Sequence, residues 1–152
     1  MLRSFKKTIS LFKSTNYLNP FFFSTQKWVY AEKSQLLNVE FINACQSLTS
    51  QERPPFVVLD VRDDEEVSYA KLPYQNDKGV EIPTLHIPLG LIMTNSTFLD
   101  KIPKDKYVLC LSREGRRASH AAFFLKSRGY KVLNIFGGID GISDIWTDIP
   151  KY

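Results

Sequence analysis

The chain has 152 residues, of which 43% are apolar and 13% aromatic, enough for one hydrophobic core and too few for two. Its 20 basic and 16 acidic residues are unevenly spread: Arg3, Lys6, Lys7, Lys13 and Lys27 stand in a stretch with no acid before Glu32, and residues 32–152 are close to neutral. The body therefore lacks the basic face of a nucleic-acid-binding domain, and two cysteines, Cys45 and Cys110, in no CxxC or Cys/His cluster, exclude a disulfide framework and a zinc site.

In residues 1–31, Leu2, Phe5, Ile9 and Phe12 recur at spacings of three and four, with Lys6, Lys7 and Lys13 largely elsewhere on the helical wheel. An amphipathic, basic, Ser/Thr-bearing leader without acids is the pattern of a mitochondrial presequence. No uncharged apolar run reaches the ~18 residues that a bilayer span requires. The expected organisation is an extension over 1–31 and a domain over 32–152.

In the domain, Asn38 is an expected N-cap for a helix carrying Val39, Phe41, Ile42, Cys45 and Leu48, which ends at the polar, proline-containing stretch Ser50 to Pro55. Phe56 to Leu59 is a short β-rich run of the kind buried on both faces of a parallel sheet, followed by an acidic turn. Residues 71–84, with two prolines and Gly79, read as a long loop with an extended piece at Val80 to Ile82. Further strands are expected at Leu85 to Leu89, Tyr107 to Leu111 and Val132 to Phe136, with a helix at Ala118 to Ser127 ending near Gly129. This alternation implies a three-layer α/β domain around a parallel sheet.

Several pieces then fall in a recognisable order. Asp60-Val61-Arg62 with Glu66, Ile87-Pro88-Leu89, Gly115-x-Arg117 with Ala121-Ala122 and Leu125, Gly129-Tyr130 and Gly137-Gly138 together resemble a rhodanese domain, from about Asn38 to Trp146. The resemblance implies a single three-layer domain with a central parallel sheet, and a loop reading CxxGxR whose cysteine carries a persulfide. Counted back from Gly115, that cysteine position is Ser112. A cradle of amides at a helix N-terminus can turn a thiol of pKa ~8.5 into a thiolate, but it does too little for a serine hydroxyl, whose oxygen is no persulfide carrier. Serine nucleophiles need an adjacent base, and the chain offers only His86 and His120.

Cys110 is the alternative nucleophile, because Cys110, five residues and Arg116 match the outline of cysteine-dependent phosphatases. The spacing from Gly115 places it inside the strand instead, where a free cysteine is ordinarily a core residue. Ser112, Arg113, Gly115, Arg116 and Arg117 form a candidate anion-binding loop, although the resemblance also implies that one arginine pairs with Glu66 or Asp60. The chain departs from the family at two further places. Lys71 to Leu85 replaces a short Gly-His-Ile-Pro-Gly-Ala segment, and Ile142 stands where many members place a tryptophan, with Trp146 somewhat later.

These observations lead to the expectation of a non-catalytic accessory subunit of a mitochondrial assembly, such as a respiratory-chain complex, at the matrix or the matrix face of the inner membrane. Its expected partners are protein subunits, with the leader touching the membrane surface, and no nucleic acid, cofactor or metal is expected. Two alternatives stay open: a thiosulfate sulfurtransferase or phosphatase working through Cys110, and a sensor of anions or thiol metabolites.

Overall fold

The computed structural model describes residues 34–51 and 53–152, so the expected extension over 1–31 lies outside the described residues. Five parallel strands form one sheet in the order β1-β5-β4-β2-β3, where β1 is Gln35–Leu36, β2 Phe56–Asp60, β3 Thr84–His86, β4 Tyr107–Leu111 and β5 Lys131–Ile135. The two central strands carry the fold. All five residues of β2 are buried, and β4 runs beside it in register, Val58 opposite Leu109 and Asp60 opposite Leu111.

The alternation of side chains along these strands feeds two cores. Phe56, Val58, Leu109 and Leu111 face helices α1 (Asn38–Ser47) and α5 (Gly138–Ser143), where Phe41, Cys45, Ile139, Ile142 and Trp146 pack against them. Val57, Leu59, Val108 and Cys110 face the opposite layer, formed with α3 (Leu89–Thr94) and α4 (Arg116–Lys126), where Ile92, Ala118, Ala121 and Leu125 close the second core. A sheet with a helical layer on each face is the three-layer arrangement that the alternating pattern implied.

Several local expectations need correction. The N-cap of α1 is Leu37 and not Asn38, because the Glu40 carboxylate accepts the Leu37 amide at 3.0 Å. Val39 points outward, half exposed. The acidic turn after β2 is a helix, α2 (Asp64–Tyr69), and Glu66 reaches back to accept the amide of its N-cap, Asp63, at 3.1 Å. Helix α4 begins two residues before the expected Ala118, and α3, α5 and the 3-10 turn Ser96–Lys101 were not foreseen.

The long segment before β3 holds one antiparallel bridge, Gln75 to Glu81. Asn76 fixes it. Its buried amide nitrogen donates to the carbonyls of Cys45 and Leu48, and its oxygen accepts the amides of Lys78 and Val80. The segment is thereby pinned to the end of α1 while its other wall reaches the carboxyl ends of β2 and β3.

Candidate functional site

The loop Ser112 to Gly115 leaves the carboxyl end of β4 and turns directly into α4. Gly115, at φ 94°, supplies the left-handed turn that places the first helical amides over the loop. Ser112 is 1% exposed, and its Oγ accepts hydrogen bonds from the amides of Gly115 at 3.0 Å and Ala118 at 3.2 Å. The hydroxyl thus sits where two convergent N–H groups would stabilise an anion.

A second helix start braces the loop from below. The Ser112 and Arg113 carbonyls accept the amides of Ile139 at 2.9 Å and Asp140 at 3.1 Å, at the beginning of α5. That approach requires Gly138, since a Cβ there would lie 2.3 Å from both carbonyl oxygens. The paired glycines Gly137-Gly138 are therefore part of the site as well as a strand stop.

Beside the loop, the end of β2 carries a buried ion pair. Arg62 has no solvent exposure, and its Nε and Nη2 bond Asp60 Oδ1 at 2.9 Å and Oδ2 at 2.6 Å. The fork is close to bidentate, the geometry in which a guanidinium tolerates burial. Its remaining Nη1 donates to the Tyr152 phenol at 3.0 Å. His86 on β3 closes the group, with Nε2 at 2.8 Å from the Arg62 carbonyl and Nδ1 3.6 Å from Asp64.

The loop arginines are brought to the site, and each faces an acid. Arg117 bonds Glu66 and, at 3.2 Å, Asp63, both in or next to α2. The hydrogen bond from Arg117 holds the Glu66 carboxyl below its ordinary value, against the opposing effect of its partial burial. Arg113 pairs with Asp140 at 3.2 Å and lies over the Tyr152 ring at 4.6 Å. Arg116 points outward, 88% exposed, 3.6 Å from Glu114. The positive charge expected to bind an anion is thus largely compensated within the protein. The amides of Arg116 and Arg117, in the first turn of α4, have no intrahelical acceptors.

Cys110 is placed otherwise. It pairs with Leu59 and Asn134 in the sheet, has no exposure, and burial pushes its thiol up to about 12. A thiolate at that position does not form near neutrality. Cys45 is equally buried, with its thiol raised for the same reason. His120 lies exposed on α4, and neither histidine bonds Ser112, so no base activates the hydroxyl. Tyr152 was not foreseen at the site, because its contacts with Arg62 and Glu66 span 90 and 86 residues of sequence and leave no local pattern. A cavity of about 220 Å³ lies between the 71–85 segment and the ends of β2 and β3, lined by Asp60, Lys71, Tyr74, Glu81 and His86 among others.

Comparison with known proteins agrees with this geometry. Residues 45–144 match the family model of the rhodanese-like domain. A Bacillus subtilis protein named "Putative sulfurtransferase YtwF" is 32% identical over 82 residues, which cover 54% of this chain and 68% of that one. A sulfurtransferase of Allochromatium vinosum is 31% identical over 84 residues, covering 55% and 67%. Among solved structures, a rhodanese-like domain protein from Staphylococcus aureus superposes with a TM-score of 0.59 at 19% identity, over 78% of this chain and 98% of that one. These relatives overturn the expectation of an accessory structural subunit of a respiratory-chain assembly: they are named for sulfur transfer, and neither is named as part of such an assembly. The matched segment includes β2, the loop at Ser112 and the paired glycines that hold it, and the chain belongs to the rhodanese-like domain family.

Proposed function

We propose that the protein acts in sulfur transfer, with the loop from Ser112 to Arg117 as the seat of a sulfane-sulfur donor such as thiosulfate, and that no residue of the chain carries the sulfur covalently. The observation behind this reading is the Ser112 Oγ held by the Gly115 and Ala118 amides, in a family whose relatives are named sulfurtransferases. A hydroxyl in that cradle offers no sulfur to bond to the donor. The one thiol nearby in sequence, Cys110, is sealed within β4.

Transfer then runs directly from bound donor to a thiol acceptor. The acceptor thiolate attacks the outer sulfur of thiosulfate, a new S–S bond forms, the donor's S–S bond breaks, and sulfite leaves with the electron pair. The protein's part is to hold the donor and stabilise the departing oxyanion with the first amides of α4 and with Arg113, which would exchange its contacts with Asp140 and Tyr152 for the anion. The acid-free leader supports a mitochondrial location for this chemistry.

Initial-rate kinetics with thiosulfate and a small thiol such as glutathione test the reading. Double-reciprocal lines that intersect, with rates unchanged in Cys110→Ser, are expected for direct transfer. Parallel lines together with loss of activity in Cys110→Ser would replace it with a covalent route through Cys110.

A further inference from the structure

The last described residues cross the face of the site. Ile149 is 2% exposed, its amide donates to the Trp146 carbonyl at 3.2 Å, and it anchors the segment in the first core. Pro150 comes next and stiffens the turn outward. Lys151 is then held twice, by the Tyr69 hydroxyl donating to its carbonyl at 2.8 Å and by its ammonium on Asp144 at 2.7 Å.

Tyr152 ends this path between the loop and β2. Its phenol donates to the Glu66 carbonyl at 2.7 Å and accepts from Arg62 Nη1 at 3.0 Å. Burial raises its pKa above the ordinary tyrosine value, so the phenol keeps the proton that it donates. The ring takes the Arg113 guanidinium on one side at 4.6 Å and the Tyr69 ring at 5.1 Å on another. One side chain therefore covers the face of the loop arginine and takes, with the Glu66 carbonyl at 3.4 Å, the Arg62 Nη1 that Asp60 does not bond.

We infer that residues 149–152 form a strap over one side of the 112–117 loop, with Tyr152 as its latch, and that a small sulfur oxyanion reaches Arg62 and the face of Arg113 beneath the Tyr152 ring only when the latch lifts. The identity of the oxyanion rests on the function proposed above; the closure does not. The chemistry of the latch fits a reversible contact. Its bonds are one cation–π contact, one aromatic contact and two hydrogen bonds at a side chain that is 40% exposed. Ile149, buried in the core, stays in place as the hinge, and the anion would exchange a phenol for the two guanidinium groups it covers.

Two readouts on the full chain separate closure from donor identity. The rate at which phenylglyoxal modifies Arg113, followed by peptide mass spectrometry, reports the strap. Tyr152→Ala should raise it by about fivefold or more, the size of effect expected for a lost cation–π contact and hydrogen bond. Tyr152→Phe, which keeps the ring, should raise it less. Tyr69→Phe, which frees the Lys151 carbonyl without touching Arg113, should raise it as well. Equal rates in all four proteins would overturn the strap. Calorimetric titration with thiosulfate should show tighter binding to Tyr152→Ala than to the wild type by a similar factor, and equal affinity in the two would likewise overturn the gating. Faster Arg113 modification with no thiosulfate binding by any variant would leave the closure standing and remove thiosulfate as the donor.

Discussion

The interior of β4 and the loop that continues it hold two residues of nearly the same size, two positions apart, in opposite circumstances. Cys110 looks into the layer beneath α4 among Val57, Leu59 and Ala118, with no solvent and no polar partner for its thiol. Ser112 is just as buried, yet its side-chain oxygen has two amide donors, and its carbonyl is taken by a third. The strand supplies an environment that suppresses ionisation, and the turn supplies one that favours negative charge. The nucleophilic element stands in the wrong one of the two. Chemistry at the carboxyl end of this sheet is set by where the strand ends, and the strand ends at Leu111.

The comparison can be broken hardest at the support of the loop. Gly138→Ala forces a Cβ into the Ser112 and Arg113 carbonyls, so the turn must shift or α5 detach, and denaturant unfolding should show a loss of about 3 kcal/mol or more. The strand side can be tested alone. Cys110→Ser puts a hydroxyl without an acceptor into the second core and should cost about 1–3 kcal/mol in the same experiment, while transfer rates at saturating donor stay unchanged.

A smaller effect sharpens the electrostatics of the loop. Because Glu66 is held below its ordinary value of 4.5 by Arg117, its contribution to stability is complete above that pH and is lost as pH falls through the depressed folded value. Both side chains are partly exposed, 22% and 32%, so solvent screening limits the pair to about 0.5–1 kcal/mol. Glu66→Gln should therefore be less stable than wild type at pH 7 by that amount, and the two unfolding curves should converge as pH falls through the depressed folded value. A difference that persists unchanged at low pH would show that Glu66 matters through packing and not through its charge.

Much of the fold was legible because it rests on local signals. The apolar runs at 56–60 and 107–111 became the central strands, since a strand buried on both faces needs apolar residues at every position. The elements that escaped depend on distant partners. β1 has two residues and exists only through β5, and α5 begins with Gly138, carries Gly141, and forms because its amides meet the loop carbonyls. Helix α2 did have a signal, Asp63 with Glu66 three residues on, but the density of acids there resembled a solvated turn. At the site, Gly115 and Ser112 could be located by counting, and the pairing of Arg117 with Glu66 agreed with the family pattern. The occupation of Arg62 and Arg113 by Tyr152 could not be read in this way, because nothing in the sequence at either end refers to the other.

The central claim is that the position able to hold sulfur in this loop lacks the atom that would bind it. Intact-mass measurement of the chain after incubation with thiosulfate, for wild type and Ser112→Cys, tests it most directly. The wild type should keep its mass, and Ser112→Cys should gain one sulfur atom that a small thiol removes. A wild-type chain that gains the same sulfur on Cys110 would contradict the account.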